Sequence, residues 1–544
     1  MSSSRPDAET LFSYTSTRWL CNDEAERKAR HVSFDPDGLE RVACASVGAQ
    51  RCISWTKIGE GSFNRIFLLE FDNGTRAAIR IPFPIVGNVE RAVASEVATM
   101  CYIRDRWPEK PLDGFPFPPK VFAWSSSYDN PARTPYIILE YAEGVTLRER
   151  WPFIEGEAAG AALRSIVTLE TTLLDHPFSQ HGSLYFADDV SEGLRTQPLH
   201  PENDPRLQDL DRQMSQKYKI GPTANREWWR GPYARIDADR GPWPDMQTMI
   251  RSAADLQLRA IDQGVIDFTS SRIKSNPSDI PLLRRVLDMC IRVAPSVVPS
   301  NPALTTPVLN HPDISLTNLI VPEEGYADIH AAIDWQGATV SPFCMQAAMP
   351  PAIEYTGGVI PVPVDGSMPP WPSNFDTMTK EEQDYIRIHH RYACRHRMYH
   401  LFAPAIVPWR SEAWSLPHFV PLANLVPYIT RCVTDGPANL LGILIYLQQK
   451  WSTIAPDESI PCPIDFTPEE LVACAEKVQR QMAYERNVAQ LYKEIGCLND
   501  GSVKPDEYEA VKARMERCRE EWDESAAMKG PFPFLEGSHS YYLS

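Results

Sequence analysis

Along this chain the spacing of apolar residues changes from two to about 3.6, and the change divides it. Residues 65–71 and 76–81 are apolar-rich runs on either side of Asp72-Asn73-Gly74, and Asn-Gly between two apolar runs is a strong hairpin signal. The period of two places Ala78 and Arg80 on one face of the second strand, with Ile79 and Ile81 on the other. Residues 88–107 then carry Val89, Val93, Val97, Met100 and Ile103 at helical spacing, and residues 136–142 read as another strand after a Pro-rich loop at 108–119. From residue 144 onward helices dominate. Runs at 156–174, 246–261 and 280–293 precede two short strands, 319–321 and 329–333, around a turn at 322–325. Further helical runs are expected at 379–401, 418–451, 468–497 and 505–528, with a loosely held tail at 530–544. Strands first and helices after give an α+β chain: an arm at 1–50, a mainly antiparallel sheet part at 51–143, and mainly helical parts at 144–360 and 361–529. In the arm, a charged helix-like run reaches Arg30 and Asp35-Pro36-Asp37-Gly38 predicts a turn.

Composition agrees with a large globular protein. With 544 residues, 43% hydrophobic and 23% charged, the chain can bury a sizeable core. No apolar run approaches the roughly 18 residues of a membrane span. The first nine residues contain Arg5 against Asp7 and Glu9 and no apolar segment, so neither a secretory signal nor an Arg-rich transit peptide is read there, and a soluble cytoplasmic protein is expected. A net charge of −17 speaks against nucleic acid or an anionic membrane as the main partner. It suits either an acidic solubilising surface or a cationic small-molecule substrate. The 12 cysteines are scattered without a C-x-x-C pair and read as reduced thiols.

The chemistry gathers at two loop ends. His311-Pro312-Asp313 and Asn318 run into the strand at 319–321, and the strand at 329–333 leads into Asp334. Transfer of a phosphoryl group needs an acid to orient the attacking hydroxyl and oxygen ligands for Mg²⁺, which assigns Asp313 as base and Asn318 and Asp334 as metal ligands. These motifs, His-Pro-Asp-x-x-x-x-Asn and Ile-Asp-Trp, resemble those of the aminoglycoside phosphotransferase and choline kinase-like branch of the protein-kinase-like fold. Within that branch they resemble the fungal group that includes the altered inheritance of mitochondria proteins, over roughly residues 10–360. The resemblance implies a bilobal kinase-like fold, with 51–143 as the first lobe and 144–360 and 361–529 as the second, and an ATP- and Mg²⁺-dependent kinase acting on a hydroxyl of a small metabolite. It implies a phosphate-binding loop in Lys57-Ile-Gly59-Glu60-Gly61-Ser62-Phe63-Asn64, with Gly59, Gly61 and Ser62 at the phosphates, Ala78 at the adenine and Arg80 as the phosphate-binding cation. Glu96 would pair with Arg80, and the backbone of Glu140 and Ala142 would meet the adenine edge.

Several positions depart from that pattern. Arg80 stands where a Lys is usual, and a planar guanidinium is not a conservative replacement for an ammonium; Asn64 stands at the third glycine position. Pro312, Trp335-Gln336 and the lack of an Ala-Pro-Glu closure argue against a protein substrate. Two alternatives stay open: a non-catalytic, pseudokinase-like protein that uses the cleft for binding, and transfer to a protein side chain. The stretch at 182–244, rich in Pro, Gly and Asp, holds Glu227-Trp228-Trp229-Arg230 and Arg240-Gly-Pro-Trp243. These aromatics are expected to fasten a long insertion onto its own lobe; the alternative is a wall that holds an amine. His390 with Cys394, and His396 with His400, stand four apart, but four neighbouring arginines make the segment a basic amphipathic helix rather than a metal site. His311 is expected to brace its loop.

Overall fold

A computed structural model describes residues 5–108, 114–266, 275–455, 457, 459–524 and 529–534. Part of the Pro-rich loop (109–113), the end of the last helical run (525–528) and most of the tail (535–544) lie outside the described residues.

The first lobe is built on the hairpin that the Asn-Gly signal predicts. Strands β1 (Cys52–Glu60), β2 (Asn64–Phe71) and β3 (Arg76–Pro82) are followed by helix α2 (Val89–Arg106), β4 (Val121–Ser125) and β5 (Tyr136–Glu140). They form one antiparallel sheet in the order β1-β2-β3-β5-β4. Alternation sorts its faces: Phe67, Leu69, Ala77, Ile79 and Ile81 are fully buried and pack with Leu39 and Ala43 of the arm helix α1 (Pro36–Val47). Here the expected turn at 35–38 is corrected. Asp35 accepts from the Gly38 amide at 2.9 Å and Pro36 occupies the first helical position, so residues that suit a turn start a helix instead. Helix α2 buries Val93, Val97, Met100 and Ile103 in a second cluster shared with the helical lobe. Its N-cap is Asn88, which accepts from the Arg91 amide at 3.0 Å.

The passage between lobes is backbone packed on backbone. After β5 the chain enters β6 (Val145–Thr146), which pairs with β10 (Leu319–Val321), itself paired with β11 (Ala331–Ala332). Gly144 has φ +120°, and a β-carbon there would lie inside the carbonyl oxygen of Val321. In the second lobe, β9 (Pro307–Asn310) pairs with β12 (Thr339–Pro342) and encloses the segments that carry His311 to Asn318 and Asp334. Helices α3 (Gly156–Leu174), α4 (Met246–Asp262) and α5 (Ile280–Val297) supply the supporting mass. The architecture is the bilobal, kinase-like α+β fold expected from the sequence.

The stretch at 182–244 contains structure of its own: β7 (Ser183–Phe186) pairs with β8 (Tyr218–Gly221), strands too short for periodicity to reveal. Trp228 and Trp243 contact each other at 4.8 Å within the main core. Trp229 belongs to the same core and also abuts Gly87 of the first lobe, with the Arg91 guanidinium over its ring at 5.1 Å. The aromatics therefore anchor the segment, but to both lobes rather than to one, and their burial removes them from any amine-binding wall.

Toward the C-terminus stand α6 (Lys380–Ile406), α7 (Phe419–Arg431), α8 (Ala438–Gln449), α9 (Pro468–Ile495) and α10 (Tyr508–Glu521). The single run expected at 418–451 is broken after Arg431, where Gly436 (φ +86°) and Pro437 turn the chain into α8. The basic segment of α6 is not a solvated face, since Arg395 and Arg397 are buried. Arg395 donates to the Trp151 carbonyl at 2.6 Å and lies 4.1 Å from that ring. His390 stacks on Trp371 at 3.8 Å.

Gly144→Ala is expected to lower stability by about 1–3 kcal/mol, because the linker must leave β10 or strain its backbone. An unchanged denaturation midpoint would show that the linker is not held there.

Candidate active site

Two loops converge through one imidazole. His311 is buried; its Nδ1 accepts from the Asp313 amide at 3.2 Å, which leaves the proton on Nε2 to donate to the Ile333 carbonyl at 3.0 Å. Burial lowers its pKa and keeps the ring neutral at neutral pH, as that pattern of bonds requires. The Trp335 ring packs edge-on against it at 4.5 Å, and Trp335 donates to the Ala332 carbonyl at 2.9 Å. A backbone bond from Ile333 to Asn318 at 2.9 Å ties the loops a second time. The bracing role expected for His311 is thus seen directly. The supporting Trp335 is a residue the sequence marks only as part of a motif.

Within the first loop the Asn318 amide group donates to the Asp313 carbonyl and to its Oδ2, both at 3.0 Å, and the Ser315 hydroxyl donates to the same Oδ2 at 3.1 Å. One Asp313 oxygen is therefore fixed in an otherwise exposed carboxylate, and the Asn318 side-chain carbonyl is the atom left for a cation. Asp334 follows with φ +65°, a left-handed conformation that Asp tolerates better than most residues. It lifts a side chain that is 48% exposed to the cleft face of the loop. The donors are neutral or anionic oxygens, the set a hard cation takes. Among the described residues no group of three or more His, Cys, Asp or Glu side chains could hold a metal by itself. This donor set fits Mg²⁺, which commonly takes one or two carboxylates and completes its shell with phosphates and water.

From the first lobe Arg80 reaches the same place. It is 5% exposed; Nη1 pairs with Glu96 Oε1, while Nη2 donates to Asp334 Oδ1 at 2.6 Å and to Gln336 Oε1 at 3.0 Å. The expected Arg80–Glu96 pair is present, and the contacts to Asp334 and Gln336 are additions that no sequence spacing signals. Burial pushes the Glu96 carboxyl up to about 7, against the pull of Arg80 and with the help of Asp334. Arg80 itself is raised: burial works against its charge, and the two carboxylates outweigh it. Gln336 also accepts from Asn64 Nδ2 at 2.8 Å, so the residue at the third glycine position joins the hairpin tip to the second lobe.

Gly59 pairs with Ile66 in the β1–β2 ladder, and Gly61 and Ser62 form the hairpin tip. Gly61 has an ordinary φ and nothing within 4 Å of a built β-carbon, so the protein itself does not demand glycine there and the space lies open. Ala78 is half-buried on β3 on the same face as Arg80, opposite Leu68 and Leu139. Glu140 ends β5; its amide donates to the Lys120 carbonyl at 2.8 Å, and its carboxylate accepts from Arg104 at 3.1 Å. Ala142 lies past the strand, half-buried in the linker.

No protein-family model matches the chain. A subtelomeric hrmA-associated cluster protein of Aspergillus fumigatus is 27% identical over 84% of this chain and 91% of its own length. Altered inheritance of mitochondria protein 9, mitochondrial, is 26% identical in Yarrowia lipolytica, over 60% of this chain and 55% of that protein. In Clavispora lusitaniae the protein of that name is 23% identical over 86% and 82%. Among solved structures, aminoglycoside phosphotransferase APH(4)-Ia in ternary complex with AMP-PNP and hygromycin B aligns over 72% of this chain and 98% of its own, at 14% identity and TM-score 0.33. A putative fructosamine-3-kinase from Thermobifida fusca aligns over 73% and 93%, at 15% and 0.32. The resemblance to the fungal altered inheritance of mitochondria group is borne out by these relatives. They also overturn the cytoplasmic expectation: the relatives of that name are termed mitochondrial, which points away from the cytoplasm. That expectation rested on the composition of nine residues, and composition there does not decide compartment.

A carboxyl that holds its proton more tightly when folded favours the native state at low pH, and that contribution is lost as pH rises from about 4.5 through about 7. Glu96→Gln is expected to remove this component, so that the difference in denaturation midpoint between the two proteins changes across that window. A constant difference would assign Glu96 an ordinary pKa.

Proposed function

We propose that this protein transfers the terminal phosphate of ATP, with Mg²⁺, to a hydroxyl of a small molecule. The observation that carries the reading is the convergence of Asp313, Asn318 and Asp334, on two loops held by His311, with the Arg80–Glu96 pair from the opposite lobe. Asp313 orients the acceptor hydroxyl and takes its proton as the oxygen attacks the γ-phosphorus; the bond to the β-phosphate oxygen breaks and ADP leaves. Asn318 and Asp334 would hold Mg²⁺, which neutralises charge on the phosphates when bound. Arg80 serves the phosphates, and amides near Gly59, Gly61 and Ser62 can approach them closely. Ala78, with the backbone at Glu140 and Ala142, faces the adenine. The names of the relatives favour a mitochondrial setting for this chemistry.

A second reading has one specific observation in its favour. Arg80 already neutralises Asp334, the carboxylate a metal would need, which suits a cleft that binds without turning over. Thermal-shift titration with ATP, with and without Mg²⁺, separates the two. Catalysis predicts Mg²⁺-dependent stabilisation, about 2.7 kcal/mol at a hundredfold excess over Kd, lost in Asp334→Ala. Asp313→Asn should keep nucleotide binding and lose about 10²–10⁴-fold in turnover. Metal-independent binding, or full activity in Asp313→Asn, defeats the catalytic reading.

A further inference from the structure

Between the two glycines of the hairpin tip stands Glu60, whose side chain is 0% exposed. It does not face the cleft partners described above. Five donors converge on it: the Thr15 amide at 2.8 Å, the Ser16 amide and hydroxyl both at 3.0 Å, Lys57 Nζ at 3.1 Å and Arg65 Nε at 2.6 Å. Burial alone would raise its pKa; the Thr15 amide and the charges of Arg65 and Lys57 outweigh it and hold the carboxyl below its ordinary value. Three of the five donors belong to the N-terminal arm, some forty-five residues away in sequence. The arm is itself anchored. Arg65 donates to the Leu11 carbonyl at 2.7 Å, and Tyr14 packs against Phe83 at 5.7 Å. Arg18 and Trp19 pair with Val503 and Ser502, and the Arg18 guanidinium lies 3.6 Å from the Tyr508 ring.

A glycine-rich hairpin is a poor phosphate site when free, because each glycine adds backbone entropy that binding must remove. A buried carboxylate fixed by five donors between Gly59 and Gly61 removes much of that freedom before any ligand arrives. We propose that Glu60 is a positioning residue for nucleotide binding, holding the hairpin tip in its phosphate-accepting shape through the arm at Thr15 and Ser16. The inference rests on the functional reading above and adds a residue to it. It also makes the arm, through Thr15 and Ser16, a support of the nucleotide site.

The test compares the full-length wild type with Glu60→Gln, Ser16→Ala and, as a control for general destabilisation, Thr467→Ala at the distant cap of α9. Mg²⁺·ATP affinity is measured by calorimetry, and amide exchange at 59–64 is measured without nucleotide. Glu60→Gln is expected to weaken ATP binding about tenfold and to speed exchange at 59–64. Ser16→Ala, which removes one donor of five, should shift both in the same direction by less. Thr467→Ala should lower the melting temperature and leave both unchanged. Wild-type affinity in Glu60→Gln, or unaltered exchange at the hairpin tip, overturns the inference alone. A wild type that does not bind ATP defeats the functional reading and this inference with it.

Discussion

The structure depends on what one guanidinium can do that an ammonium cannot. Arg80 has two separate nitrogen termini in a fixed plane, and it uses one on Glu96 of α2 and the other on Asp334 and Gln336 of the second lobe. A single cation thus couples the sheet, the helix and the loop that carries Asp334. A lysine could hold one carboxylate well, whereas this arginine holds both and draws the lobes together at the phosphate end. The cleft is closed there by Asn64 on Gln336, and beside it Arg226 donates to the Ile85 carbonyl at 2.9 Å. On the proposed function, a nucleotide entering this cleft would meet a cation already engaged, and its phosphates would compete with Asp334 for the same nitrogen.

The order of rigidity supports this arrangement. The loops that carry Asp313 and Asp334 are fixed by neutral groups: an imidazole, an indole and backbone amides. Charged groups then meet on that frame. Neutral bracing is insensitive to ionic strength, so the loop backbones are held independently of salt, while the Asp334 carboxylate itself is held by Arg80. The charges meet at Arg80, which is paired within its own lobe with Glu96, whose carboxyl burial lifts to about 7, and across the cleft with Asp334.

Much of this was legible because the governing interactions are local. The Asn-Gly hairpin, helix α2 with its Val89-to-Ile103 stripe, and the loop from His311 to Asn318 each follow from residues close together in sequence. The Arg80–Glu96 pair was readable too, through strand and helix periodicity joined to a family resemblance. What stayed hidden is non-local. Nothing in the spacing links Gln336 to Asn64, or Glu60 to Thr15 and Ser16, since each contact depends on how separate elements dock. Asp35 to Gly38 was misjudged because the same residues start helices and make turns. The strands β7 and β8 are four residues each within a stretch whose composition reads as loop, and the compartment was not written in the first nine residues at all.

The short ladder between residues 18–19 and 502–503 has a consequence for how the chain is made. During synthesis the sheet lobe leaves the ribosome long before the strand that receives its arm. Until residues 502–503 emerge the arm has no partner at that strand, and the sheet lobe must hold together without the full clamp. A chain cut before residue 491 would display Leu20 as exposed apolar surface, whereas Trp19 would keep its partners in the sheet-lobe core.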